Sequence, residues 1–268
     1  MLKQLTVVSY LSPNLFWLYQ AVSSYLARVL DTEVQIHQSW NNPLDDLSQQ
    51  PFDLAFICGL PFIQYCQTVP EQLQALVAPV MQADRYQNRP IYFSDVIVYA
   101  ASELNQFEQL AGKRFCFNDL GSNSGYNLMR HQLMQGNYSS RFFAEVMQSG
   151  SHQQSIQWVL QQKADCAAID SVVLEQELRQ SSLNLRVIES IGPTPMPPLV
   201  AARHLGEPCL QQLQAALLNP DAELLSHMQQ AGIRRFAAVQ TCDYQIIHQI
   251  YEQTNNSEYA VIESALCA

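Results

Sequence analysis

Lysine is the scarcest charged residue in this sequence, with three in 268 positions: Lys3, Lys113 and Lys163. At a net charge of −10 the chain offers no basic surface to neutralise a run of phosphates, which excludes nucleic acid as a partner. The same field repels small anions, so any anion bound here has to be held by oriented local donors.

Glycine is also short, nine in all, too few for glycine-rich cofactor loops. No GK[ST] and no GxSxG occurs, so neither a nucleotide loop nor a nucleophile elbow is present. The seven cysteines (Cys58, Cys66, Cys116, Cys166, Cys209, Cys242, Cys267) are odd in number, scattered and free of any CxxC pair. That disfavours a disulfide framework or structural zinc, and Cys58, Cys116 and Cys166 read as small core residues. The histidines His131, His152, His204, His227 and His248 do not pair at metal-ligand spacing, so no metal and no cofactor is expected. No apolar run approaches the roughly 20 residues of a membrane span, and the chain enters a strand at once without a secretory leader. As it stands the sequence suits the cytoplasm, and the periplasm if a leader was removed before residue 1.

What is present is alternation. LTVVSYL (5–11), EVQIHQSW (33–40), DLAFICG (53–59) and LVAPVM (76–81) read as strands, with a helix from Asn14 and a short one at 41–50 between them. A long extended segment, 91–102, precedes KRFCFND (113–119), a helix over 123–135, strand-like 142–150, a helix over 151–163 and ADCAAID (164–170). Residues 184–198 contain GPTPMPP and form an extended return. From 205 the chain reads as mostly helical, with Asn219 capping a helix that runs to Gly232. Alternating strands and helices imply α/β architecture. The connectors near 91–102 and 184–198 divide it into a first lobe, 1–97 with 195–268, and a second, inserted lobe, 98–194, with a ligand cleft between lobes.

Three places can carry chemistry. In FNDLGSNSGYN (117–127) a strand hands over to a helix through Ser122, Asn123, Ser124 and Gly125. A helix start presents unpaired N–H groups and partial positive charge, and hydroxyls and an amide placed there complete an oxyanion site. The tetrad equally fits an ordinary N-cap in which one serine satisfies the helix. In SGSHQQS (149–155), Ser151 can cap the next helix with Gln154 reaching back, leaving His152 in the first turn with its ring facing outward. In AAIDS (167–171), Asp170 ends an apolar strand and either faces a cleft or caps the segment after it. Trp40 and Tyr92, at a strand end and a connector start, can wall a pocket or pack in a core.

These segments, in this order and together with DLAFICGLPF (53–62) and QQAGIRRFAAVQTCDYQII (229–247), resemble the PhnD-like phosphate/phosphonate substrate-binding proteins of ABC transporters, which have the type II periplasmic-binding-protein fold. The resemblance implies that Ser122, Asn123, Ser124 and Gly125, with Tyr126 beside them, grip the oxyanion. It assigns the family's histidine to His152, its crossover tyrosine to Tyr92 and its polar strand end to Asp170, with Trp40 and Gly59 lining the first lobe. Where aminophosphonate binders carry an acidic residue on the returning connector, this chain has Met196, Pro197 and Pro198. The implied function is binding of a small oxyanion, a phosphonate or phosphate ester, in partnership with an ABC permease or a signalling protein. The alternative is a lyase or transferase on the same fold acting on a small carboxylate, with His152 and Asp170 as general acid and base.

Overall fold

The structure, a computed structural model, describes residues 4–49 and 52–265, the side chains of 47–49 excepted. Lys3 and Cys267 lie outside the described residues. The chain divides into two compact units, 1–91 with 195–245 and 92–194 with 246–268.

The first unit begins with β1 (Gln4–Ser9), α1 (Phe16–Leu30), β2 (Glu33–Gln38), α2 (Pro43–Gln49), β3 (Leu54–Phe56), α3 (Gly59–Thr68) and β4 (Leu73–Met81). Helix α1 buries Leu18, Tyr19, Val22 and Leu26, the stripe its spacing predicts. It ends at Asp31 in the left-handed region, φ 48°. Strand β3 is buried at every position, as a continuous apolar run requires.

The second unit follows with β5 (Ile91–Tyr99), β6 (Arg114–Phe117), a π-type turn at 123–127, α4 (Leu128–Gln135), β7 (Glu145–Gln148), α5 (His152–Leu160), β8 (Cys166–Asp170), α6 (Ser171–Gln180) and β9 (Leu185–Pro195). The chain then returns to the first unit for β10 (Leu199–Ala202), α7 (Glu207–Leu218), α8 (Ala222–Gln230) and β11 (Ile233–Ala238), and closes with α9 (Gln245–Asn255).

The first sheet runs β11-β4-β10-β3-β1-β2. Its β1, β2 and β3 are parallel, while β10 and β11 pair antiparallel with their neighbours. The second sheet runs β7-β6-β8-β5-β9, with β6 parallel to both β7 and β8 and β5 antiparallel to β8. Parallel neighbours bring the carboxyl ends of β6, β7 and β8 to one edge, and the residues at or just after those ends are 118–127, 149–152 and 170–171. Topology alone therefore gathers the three candidate segments of this unit.

Three differences from the sequence reading have plain causes. Segment 246–268 belongs to the second unit, not the first, because Tyr259 and Ile262 pack into the core around Phe115, Phe117 and Tyr126. The cap of α8 is Asp221, whose carboxylate accepts from the Leu224 amide, not Asn219. The stretch after α8 includes strand β11, which Gly232 permits by ending the helix at φ 73°.

Candidate functional site

At the end of β6 the chain turns through Asn118 to Gly121 and starts a helix at Ser122. The Ser122 hydroxyl oxygen accepts from the Gly125 amide at 3.0 Å, an N-cap bond. The cap uses a lone pair and leaves the hydroxyl proton for another acceptor. The N–H groups of Asn123 and Ser124 open the helical segment, where no preceding carbonyl is positioned to receive them. All of Ser122, Asn123, Ser124 and Gly125 are buried, so hydrogen bonds made here work in a low-dielectric setting.

Gly125 turns out to serve the protein's own packing. A Cβ there would collide with the Asn118 carboxamide oxygen and come within 3.1 Å of the Ser122 hydroxyl. The space beside it is taken by Asn118, whose amide nitrogen donates to Asp119 at 2.8 Å. Burial raises the pKa of Asp119, against the pull of the Gly121 and Ser122 amides.

Asn123 also differs from expectation. Its amide nitrogen donates to the Tyr92 hydroxyl at 3.1 Å and to the Thr194 hydroxyl at 3.2 Å, and its oxygen accepts from Asn127 at 3.0 Å. Both side-chain amide protons are committed within the protein, which leaves only the Asn123 backbone N–H as a donor. The bond from Asn123 places the Tyr92 hydroxyl against the loop. Ser94, two residues along β5, donates to the Ser124 carbonyl at 2.7 Å, which pins the loop to the sheet.

His152 opens α5 after Ser151, which caps the helix by accepting from the Gln154 amide at 3.1 Å. Its ring does not face outward: the residue is 8% exposed, and Nε2 lies 3.3 Å from the Ser124 hydroxyl. Burial lowers its pKa to about 4, which leaves the ring neutral at pH 7. Its Nδ1 is buried without a hydrogen-bond partner.

Asp170 is the N-cap of α6, accepting from the Val172 amide at 2.8 Å and the Val173 amide at 3.3 Å through the same oxygen. Of its two sequence readings the structure supplies the cap. The two readings are compatible, because Asp170 lies directly across from Ser94 in the β5–β8 ladder, on the face of the sheet from which Ser94 reaches Ser124. Burial raises its pKa to about 7, opposed by the two amides and reinforced by Asp95 and Glu175.

Beneath the loop, Tyr126 is buried and its hydroxyl accepts from the Ile262 amide at 3.0 Å. The residues sequence reasoning missed are Ser94, Asn118, Asn127, Arg130 and Thr194. Two of them carried a signal: Asn127 and Arg130 stand four and seven residues after Asn123, on one helix face.

The first unit carries the other two candidates. Trp40 is 73% exposed, so it is no core residue. The residues on either side of it, Ser39 and Asn41, donate to the Asp46 carboxylate at 2.7 and 2.9 Å, which braces the loop that presents it. Gly59 is buried at the first position of α3. Among the described residues no cluster of histidine, cysteine and carboxylate suited to a metal occurs, and no helix is long and apolar enough to cross a membrane.

The sequence model of the phosphonate periplasmic substrate-binding proteins of ABC transporters matches residues 5–244. The chain belongs to this family. It is a family of solute-binding proteins, not enzymes, and it implies a small ligand and a permease partner. No curated protein matches the sequence. Among solved structures, the chain is similar to PhnD1 from Prochlorococcus marinus in complex with methylphosphonate, at 21% identity and a TM-score of 0.81, covering 95% of this chain and 99% of that one. A binding protein component of an ABC phosphonate transporter from Pseudomonas aeruginosa matches at 17% identity and a TM-score of 0.82, covering 98% and 90%. The aliphatic sulphonate binding protein SsuA from Escherichia coli matches at 15% identity and a TM-score of 0.63, covering 98% and 90%. These likenesses establish the two-lobed type II binding-protein fold for this member of the phosphonate family.

Proposed function

We propose that this solute-binding protein takes a small phosphonate or phosphate-ester oxyanion on the loop 122–125, with His152 as a further contact. The observation that carries this reading is the Ser124–His152 pair: a hydroxyl and a neutral imidazole, 3.3 Å apart and buried, at the opening of a helix. An anion seated there receives the Ser122 hydroxyl proton, the first amides of the helix and one proton from the Ser124–His152 pair, all in a setting that water does not screen.

Asp170 bears on which oxyanion is preferred. A carboxyl group with a pKa near 7 shares a proton with a phosphonate or phosphate at neutral pH. A permanently ionised sulfonate brings no proton of its own, so the carboxyl group has to supply the only one and is disfavoured once it ionises. Tyr92 is a candidate contact through its hydroxyl, and Trp40 and Gly59 are candidate contacts from the first unit.

The test is calorimetry with methylphosphonate, inorganic phosphate and taurine, alongside the Ser124→Ala and His152→Ala variants. Tight binding of a phosphorus oxyanion, weakened at least tenfold in both variants, is the expected result. Tight binding of taurine with none of either phosphorus ligand overturns the preference. Unchanged affinity in both variants removes the loop from the site.

A further inference from the structure

Arg130 is 3% exposed, two turns below the loop, and its cation has no carboxylate partner among the described residues. One guanidinium nitrogen donates to the Ala260 carbonyl at 2.8 Å and another to the Asn127 side-chain oxygen at 3.0 Å. The plane lies 5.4 Å from the Tyr126 ring centre and 5.3 Å from that of Tyr251. Nε has no hydrogen-bond partner. Every interaction is with a neutral group, so the charge is buried and uncompensated.

A guanidinium can only donate, and that fixes the polarity of the amides stacked above it. Asn127 must turn its oxygen to Arg130, so its amide nitrogen faces Asn123. Asn123 must then present its oxygen to Asn127, at 3.0 Å, and its nitrogen to Tyr92 and Thr194. The orientation of both amides follows from the cation, not from any choice between look-alike atoms. Two aligned amide dipoles point their positive ends away from Arg130, through Asn123 of the loop to the Tyr92 and Thr194 hydroxyls beyond it. The Tyr92 and Thr194 hydroxyls accept at oxygen and so turn their own protons away from Asn123.

We propose that Arg130, Asn127 and Asn123 are positioning residues that deliver a buried positive field to the anion loop, supplying the cationic component that its neutral first contacts lack. The proposal deepens the oxyanion reading and rests on it. It resolves the problem set by the composition: a chain of net charge −10 holds an anion without a lysine or arginine among its neutral contacts, because the balancing charge is one relay away and shielded from salt.

The decisive variant is Asn127→Asp. The new carboxylate neutralises Arg130, and because it cannot donate, Asn123 turns its nitrogen toward it and its oxygen toward Tyr92 and Thr194. Completing a buried ion pair leaves the melting temperature at or above that of the wild type, while affinity for methylphosphonate and inorganic phosphate, read by calorimetry, falls at least tenfold. A structural role alone predicts no loss of affinity in a variant of undiminished stability. A folded Asn127→Asp protein with affinity within twofold of the wild type overturns the relay. Should that variant fail to fold, Arg130→Lys and Arg130→Gln decide: retained affinity with lysine and a tenfold loss with glutamine support the relay, and equal losses overturn it. A folded wild type that binds neither probe overturns the oxyanion reading itself, and the relay with it.

Discussion

The two ends of the second sheet treat charge in opposite ways. Where β6 and β8 begin, Arg114 and Asp165 form a pair, with guanidinium nitrogens 2.8 and 3.1 Å from the carboxylate and a third bond from the Arg114 amide at 2.8 Å. Burial raises the pKa of Asp165, but the bonds from Arg114 outweigh it and the net shift is downward. Past the other ends of the same two strands stand Arg130 and Asp170, each buried, and neither has an ion-pair partner among the described residues. Both are shifted toward their neutral forms by burial. The paired end ties strands together. The other end holds two buried ionisable groups with no ion pair between them or to a third group among the described residues.

The sharpest way to break this comparison is Arg130→Ala. It orphans the Ala260 carbonyl and the Asn127 oxygen, and a destabilisation of roughly 2–6 kcal/mol is expected, read by denaturant titration. A loss below about 1 kcal/mol would mean the cation is not held as described.

Asp170 gives the next largest effect, and it depends on pH. Its folded pKa, about 7, lies above the unfolded value of about 3.9, so the folded state holds the proton longer. Stability from this group is therefore full below about pH 4, declines as pH rises to about 7, and is flat above; the limit is on the order of 4 kcal/mol. An asparagine in its place would cap the helix equally well without titrating, so Asp170→Asn should remove the decline between about pH 4 and pH 7 that the wild type shows. Equal pH profiles for the two proteins would contradict the burial of an unpaired acid here.

Gly125→Ala comes third. The new methyl group meets the Asn118 carboxamide and the Ser122 hydroxyl, and overpacking of this kind costs about 1–3 kcal/mol. Because the clash displaces the cap, ligand-induced thermal stabilisation should fall with it. A fully stable variant would show that Asn118 yields easily.

Asp165→Asn should be the mildest. The pair is partly exposed, with side chains 39% and 27% accessible, so a loss of about 0.2–1 kcal/mol is expected, shrinking with added salt. The depressed pKa means this contribution is present at neutral pH and disappears as pH falls below about 4. A loss as large as that of Arg130→Ala would erase the contrast between the two ends.

Much of this was legible in the sequence because it depends on local rules. Strands β3 and β8 announce themselves as continuous apolar runs, α1 by its stripe, and the tetrad by small polar residues at a strand-to-helix change. The missed parts depend on tertiary placement. Nothing local reveals that the His152 ring turns inward to Ser124, because a first-turn histidine is equally compatible with solvent. Nothing local assigns the Asn123 amide to Tyr92 and Thr194, which lie 31 and 71 positions away. Helix α6 was not anticipated because its buried Val172, Val173 and Leu174 are consecutive, without the three-to-four spacing that marks a helix.

The distance in sequence between the loop and its supports sets a timetable for synthesis. Arg130 waits for a carbonyl 130 positions downstream, and Tyr126 for an amide 136 positions downstream. A nascent chain on the ribosome can form β6 and the serines after it long before those partners leave the exit tunnel. The guanidinium stays hydrated until the segment around Ala260 docks, so the support beneath the loop is complete only once that segment has been made.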